Sequence, residues 1–279
     1  MQTRAFRLLS DVHRFLTRYT VGMLTRRVFL GSAGAHLLHA GDYPSRSARV
    51  EPLWKSPDGH PNALEATSEG LWVGEQVTDA AYLLDWQSGK VIRRVQTESS
   101  NTSGIAFGGG FLWLGSNGAA SRRPARPTDS ATGQIHKVRV RTGDTVARYQ
   151  VPGGGGVHGL VWAGDSLWVT TLKLGRLTRV DIRFKEISHI PITLDRAHGL
   201  AWDGESIWCM FSNDYLIQRL DPQNGDVREV VQLKKGIDPD PHGMTMHHGV
   251  LYYSDSGFVR GGGDHAGKHA GYICRVHLG

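Results

Sequence analysis

Five stretches of this chain follow one pattern, a head residue with an aromatic ten positions later, and three of the five heads are histidine. The heads are Asn62, Ser103, His158, His198 and His242, and the aromatics are Trp72, Trp113, Trp168, Trp208 and Tyr252. Equivalent positions of a repeat point alike, so three imidazoles are expected around one place. Three such ligands with an open position can hold one divalent metal ion, zinc or magnesium, and activate a bound water. His158, His198 and His242 are that candidate metal set. Neutral imidazoles can instead act as general bases near pH 7. In the structural alternative each histidine bonds a backbone group of the next repeat, and the glycine after it allows close approach.

Acids stand close to the same place. Glu75 lies three residues after Trp72 and Asp255 three after Tyr252, where the other repeats carry Ser116, Thr171 and Phe211. Only the fifth repeat combines a histidine head with an acid, so His242 with Asp255 is the expected base and orienting group. Glu75 and His198 complete the catalytic candidates, and Asn62, Ser103 and His158 are expected to bind the ligand. The glycine-rich GGGDHAGKHAG adds Asp264, His265, Lys268 and His269, as a lid or as a connection. GGGG at 153–156 lacks the strand and helix context of a phosphate loop, so no nucleotide cofactor is expected.

The elements that must position these groups are short strands. In the fourth repeat, HGLAWDGESIWCM followed by LIQRLDPQNGDV, apolar runs at 199–202, 207–210, 216–221 and 227–231 are separated by Gly, Asp and Asn turns. The heads are 41, 55, 40 and 44 residues apart, the length of a four-stranded propeller blade. The last repeat ends at YICRVHLG, its third strand, and ARVEPLWKS at 48–56 has the content of the missing fourth. The expected fold is all-β, a five-bladed β-propeller closed by an N-terminal outer strand donated to the last blade. The repeat aromatics pack between blades, and the heads share one mouth with the insertions at 116–133 and 255–271. His247 and His248 fall in a turn on the opposite face.

Charge separates the chain into two parts. Residues 1–40 hold Arg4, Arg7, Arg14, Arg18, Arg26 and Arg27 against one acid, Asp11, so the net charge of +6 resides almost wholly there. The body, 41–279, is nearly neutral, which argues against a nucleic-acid surface. TRRVFLGSAGAHLLHA sets paired arginines before a short apolar run, the arrangement of a twin-arginine export signal, with cleavage after Ala40. That run is too short to span a membrane. The expectation is a periplasmic or secreted monomer with one propeller domain over 41–279. Cys209 and Cys274 are expected as buried small apolar residues, with a disulfide as the alternative.

HGLAWDGESIWCM with LIQRLDPQNGDV, together with EGLWVGEQVTDAAYLLD at 69–85, resembles the streptogramin lyase-like propellers. That resemblance implies a cyclic ester opened by C–O elimination, with histidine and glutamate at the channel mouth and a divalent metal. The GL heads are also similar to propeller-type glutaminyl cyclotransferases, which implies Glu75 as a proton-transferring acid near Asn62. The leading expectation is a lyase-like enzyme acting on a small peptide-like or lactone-like ligand. The alternatives are a cyclotransferase-like enzyme and a non-catalytic propeller that binds a peptide or protein.

Overall fold

The computed structural model describes residues 43–172, 174–258 and 267–279. The expected export signal at 1–40, Asp264 and His265 lie outside the described residues. Tight Gly, Asp and Asn turns cut the rest into twenty strands and one 3-10 turn, with no α-helix among the described residues. The turn at 221–226 shows how. Asp221 Oδ1 accepts the N–H of Gln223, and Gly225, at φ +84°, donates its N–H to Asp221 O.

After β1 (Ser45–Lys55), the first repeat forms β2 (Pro61–Ala66), β3 (Leu71–Glu75), β4 (Ala80–Leu84) and β5 (Val91–Gln96), paired in that order. The second forms β6 (Thr102–Gly108), β7 (Phe111–Ser116), β8 (Gln134–Arg139) and β9 (Thr145–Gln150). The third forms β10 (Val157–Ala163), β11 (Ser166–Thr171), β12 (Arg176–Val180) and β13 (Glu186–Pro191). The fourth forms β14 (Ala197–Trp202), β15 (Ile207–Phe211), β16 (Leu216–Leu220) and β17 (Val227–Gln232). The last has β18 (Met244–His247), β19 (Val250–Ser254) and β20 (Tyr272–Leu278). Residues 48–55 of β1 pair antiparallel with β20 and supply the outer strand that this repeat lacks. Residues 45–47 cross to pair parallel with β17, so the fourth and last repeats join in one eight-stranded sheet.

Inner strands are covered by sheets on both faces, and their sequences are accordingly short unbroken apolar runs. β3, β4 and β15 are buried throughout, whereas outer β5 keeps only Val95 fully buried. The core is divided among the gaps between successive sheets. Trp72 packs with Ile105 and Leu112 of the second repeat, and Trp113 with Leu160 and Leu167 of the third. Trp168 meets Leu200 and Cys209, and Trp208 meets Met244 and Cys274. Tyr252 closes the circuit against Leu64, Leu71 and Val73 of the first. Cys209 and Cys274 are free and buried in two different layers, so the disulfide alternative does not form.

The innermost strands also touch in a circle, β2 on β6, β6 on β10, β10 on β14, β14 on β18, and β18 on β2. That approach leaves no room for a side chain directly after a histidine head. A Cβ at Gly159 would overlap the His198 carbonyl, and one at Gly199 would lie 2.6 Å from the His242 carbonyl oxygen. Gly159→Ala is therefore expected to cost about 1–3 kcal/mol through overpacking. Gly104→Ala, whose Cβ first meets the movable Leu160 Cγ at 3.1 Å, should cost less. Urea unfolding of the two variants checks this, and equal stabilities would contradict the steric account.

Candidate functional site

The heads converge as their repetition predicts. Asn62, His158, His198 and His242 line one cavity of about 370 Å³, and Ser103 is buried beside it, accepting a 2.8 Å hydrogen bond from Asn62 Nδ2. The three imidazoles stack edge to face. Ring centroids are 4.7 Å apart from His158 to His198 and 4.9 Å from His198 to His242, with interplanar angles of 87° and 83°.

Among the three histidine repeats the carbonyls of the heads, not the imidazoles, accept the bonds between repeats. Gly199 N–H donates to the His242 carbonyl at 3.0 Å, and Thr170 Oγ1 donates to the His198 carbonyl at 3.3 Å. Both ring nitrogens of His158 and Nδ1 of His198 are buried without a partner among the described residues. Burial pushes the pKa of His158 down to about 3, with the positive charge of Arg196 acting in the same sense. Burial also holds His198 well below the ordinary imidazole value, helped by its neighbours His158 and His242. His242 is lowered by burial too, although Asp240 opposes the shift. The column is therefore neutral at pH 7.

His242 is the member with directed bonds. Its Nδ1 lies 3.3 Å from the Asp240 carbonyl and 3.9 Å from the Asp240 carboxylate, and its Nε2 lies 3.1 Å from Ser256 Oγ. A carbonyl only accepts, so Nδ1 carries the proton and Nε2 presents its lone pair to the Ser256 hydroxyl.

The two acids singled out by sequence sit differently. Glu75 is fully buried, and its Oε2 accepts the N–H of Val77 at 2.9 Å and the hydroxyl of Thr78 at 2.8 Å. Burial raises its pKa against the pull of those bonds. Asp255 does not bond His242. Its Oδ2 accepts the N–H of Asp240 at 2.9 Å and its Oδ1 the N–H of Gly257 at 2.8 Å. It borders an adjoining cavity of about 590 Å³, which also contains Lys268 and His269 and shares Asp240 and Phe258 with the mouth.

The position that faces the mouth is one residue later, at Gln76, Asn117 and Ser256. Successive residues leaving a strand point to opposite sides, and the sequence reading stopped one short. A second set lies two residues before the heads, at Asn101, Arg196 and Asp240. Arg196 takes φ +55°, an unusual conformation for a non-glycine residue. Its only sequence signal is the constant offset from the repeat head.

The insertion after β7 adds Arg122, whose guanidinium lies 3.9 Å above the ring of Phe258. Phe258 in turn stacks on His60 at 4.1 Å. This insertion is anchored through a buried charge. Arg123 Nε donates to Asp79 Oδ2 at 2.8 Å and its Nη1 to Asp129 Oδ2 at 2.7 Å, while Asp79 Oδ1 accepts the N–H and hydroxyl of Thr102. The cavity thus has a neutral histidine floor, amide walls at Asn62, Gln76, Asn101 and Asn117, two guanidinium groups and one carboxylate, Asp240. Among the described residues no group of three or more His, Cys, Asp or Glu is gathered to hold a metal.

No protein-family description matches the sequence, and no curated protein matches it. Solved structures do. A glutaminyl cyclase from Myxococcus xanthus superposes with a TM-score of 0.61 at 14% identity, covering 85% of this chain and 98% of that chain. A streptogramin B lyase gives 0.49 at 14% identity, covering 83% of this chain and 98% of that chain. BamB from Moraxella catarrhalis gives 0.40 at 14%, covering 74% and 61%. The likeness to the glutaminyl cyclase extends to the fold, and the chain is a β-propeller.

Two outcomes follow from this geometry. Arg123→Ala leaves the buried Asp79 carboxylate with Arg126 at 3.3 Å as its remaining guanidinium partner and should cost about 1.5–3 kcal/mol in denaturant unfolding, whereas a surface-like loss of under about 1 kcal/mol would contradict the anchor. His158 protonates near 6.5 when unfolded but only at about 3 when folded. Its contribution to stability is thus intact above pH 6.5 and is lost as pH falls toward 3. Relative to wild type, His158→Gln should gain about 1–2 kcal/mol between pH 6.5 and 5. A pH-independent difference in paired denaturation curves would contradict a neutral buried ring.

Proposed function

We propose that this chain is an exported, five-bladed propeller enzyme whose mouth opens an ester-type bond in a small peptide-like or lactone-like anion. The blade count treats the short parallel contact of β1 with β17 as a seam, and the circle of five innermost strands supports it. Export rests on the paired arginines and apolar run before residue 41.

One observation carries the functional reading. Two guanidinium groups, Arg122 and Arg196, share a cavity with a buried histidine, His242, that a carbonyl orients and burial keeps unprotonated. Guanidinium groups recognise carboxylates, and the four amide side chains supply donors and acceptors of the kind that read peptide bonds. A neutral imidazole whose lone pair meets the Ser256 hydroxyl in this cavity can take a proton at pH 7. Elimination, the route that the lyase resemblance implies, would use that lone pair on the substrate and leave a carboxylate facing the two arginines. The cyclotransferase alternative has less support, because Glu75 is bonded within its own loop and does not line the cavity.

N-acetylglycine is a minimal peptide-like carboxylate for testing the mouth. Calorimetry should show it binding one site, with affinity at least about 10-fold weaker in Arg196→Gln, the loss expected for one charge-assisted hydrogen bond. Unchanged binding in that variant would sink the reading.

A further inference from the structure

The arrangement around His242 assigns a route to that reaction, and the inference rests on reading the mouth as a site that opens ester-type bonds. We propose that Ser256 is the nucleophile of an acyl-transfer centre, with His242 as its base and Asp240 as the positioning residue behind the imidazole. All three line the same cavity. Ser256 Oγ and His242 Nε2 are 3.1 Å apart, within the reach that proton transfer needs, and Asp240 faces the opposite ring nitrogen through its carbonyl.

The surrounding bonds hold this geometry in place. His242 N–H donates to Ser254 O at 2.9 Å and Ser254 N–H to Gly243 O at 2.9 Å, which sets the register between the segments carrying base and hydroxyl. Asp255 spans both, accepting from Asp240 on one side and from Gly257 on the other. His60 Nδ1 donates to the Ser256 carbonyl at 3.1 Å, and the His198 edge contact restrains the His242 ring. A base whose lone pair is already bonded to a hydroxyl acts first on that hydroxyl. Direct elimination would require Ser256 to vacate Nε2.

The step balances without a redox partner. Ser256 Oγ attacks the acyl carbon as its proton passes to Nε2, and negative charge develops on the carbonyl oxygen within the cavity whose cations are Arg122 and Arg196. The bond to the leaving alkoxide breaks, and that oxygen takes the proton from Nε2. Water then attacks the acyl–Ser256 ester, one of its protons passes through Nε2 back to Oγ, and the carboxylic acid released loses the other to solvent as a carboxylate. A lactone would be hydrolysed to a hydroxy acid, with no alkene formed.

Labelling of the whole protein with an alkyl fluorophosphonate, followed by intact-mass and peptide analysis, tests the assignment. The expected result is one adduct on Ser256, absent in Ser256→Ala and formed at least about 100-fold more slowly in His242→Gln. p-Nitrophenyl acetate should give a burst of one equivalent of nitrophenolate. Ser256→Ala should abolish that burst while keeping the far-UV circular dichroism and melting temperature of wild type, which shows that the variant is folded. Ester cleavage that survives Ser256→Ala but not His242→Gln would overturn the nucleophile and leave the reading of the mouth standing. Labelling at another residue would overturn it as well. Failure of wild type to bind N-acetylglycine would instead overturn the mouth itself, and this inference with it.

Discussion

The close approach of the innermost strands is the constraint on which the rest of the molecule depends. The carbonyl of the following head occupies the space that a side chain after His158, His198 or His242 would fill, so glycine follows each of these three heads. Contacts between the histidine repeats then need no bond from the imidazoles. Those side chains are left to face inward, and three imidazoles meet edge to face at the end of the channel. Sheet-to-sheet aromatics and the donated β1 hold the circle closed, and with it the spacing of the heads.

From that constraint the electrostatics follow. Desolvation keeps the floor neutral, while the charges enter from connections rather than from strands. Arg196 and Asp240 come from the segments leading into β14 and β18, and Arg122 from an insertion that the buried Asp79 fastens to the scaffold. A rigid neutral base beneath a rim with two cations and one acid suits a reaction in which negative charge develops on the substrate.

Much of the architecture could be read from residues alone, because a repeat reports its own spacing and an incomplete last copy reveals the need for β1. The heads were legible for the same reason. The acids were not, since side-chain chemistry drew attention to Glu75 and Asp255 while the backbone turned Gln76 and Ser256 toward the cavity. A period of two makes a one-residue offset decisive, and no hydropathy pattern marks where a strand hands over to its loop. Arg196 escaped because its direction comes from a left-handed backbone conformation that an arginine codon position does not announce. Asp255 shows the reverse case. Its place in the repeat pairs it with the base, whereas its carboxylate braces the backbone of Asp240 and Gly257.

The central claim is that one polar mouth, with His242 and Ser256 beneath Arg122 and Arg196, receives an acyl-bearing anion. A crystal structure of the protein soaked with N-acetylglycine tests it most directly. The account predicts the carboxylate against the Arg122 and Arg196 guanidinium groups and the acetyl carbonyl beside Ser256 Oγ. Ligand density confined to the adjoining cavity, with the histidine column untouched, would contradict it.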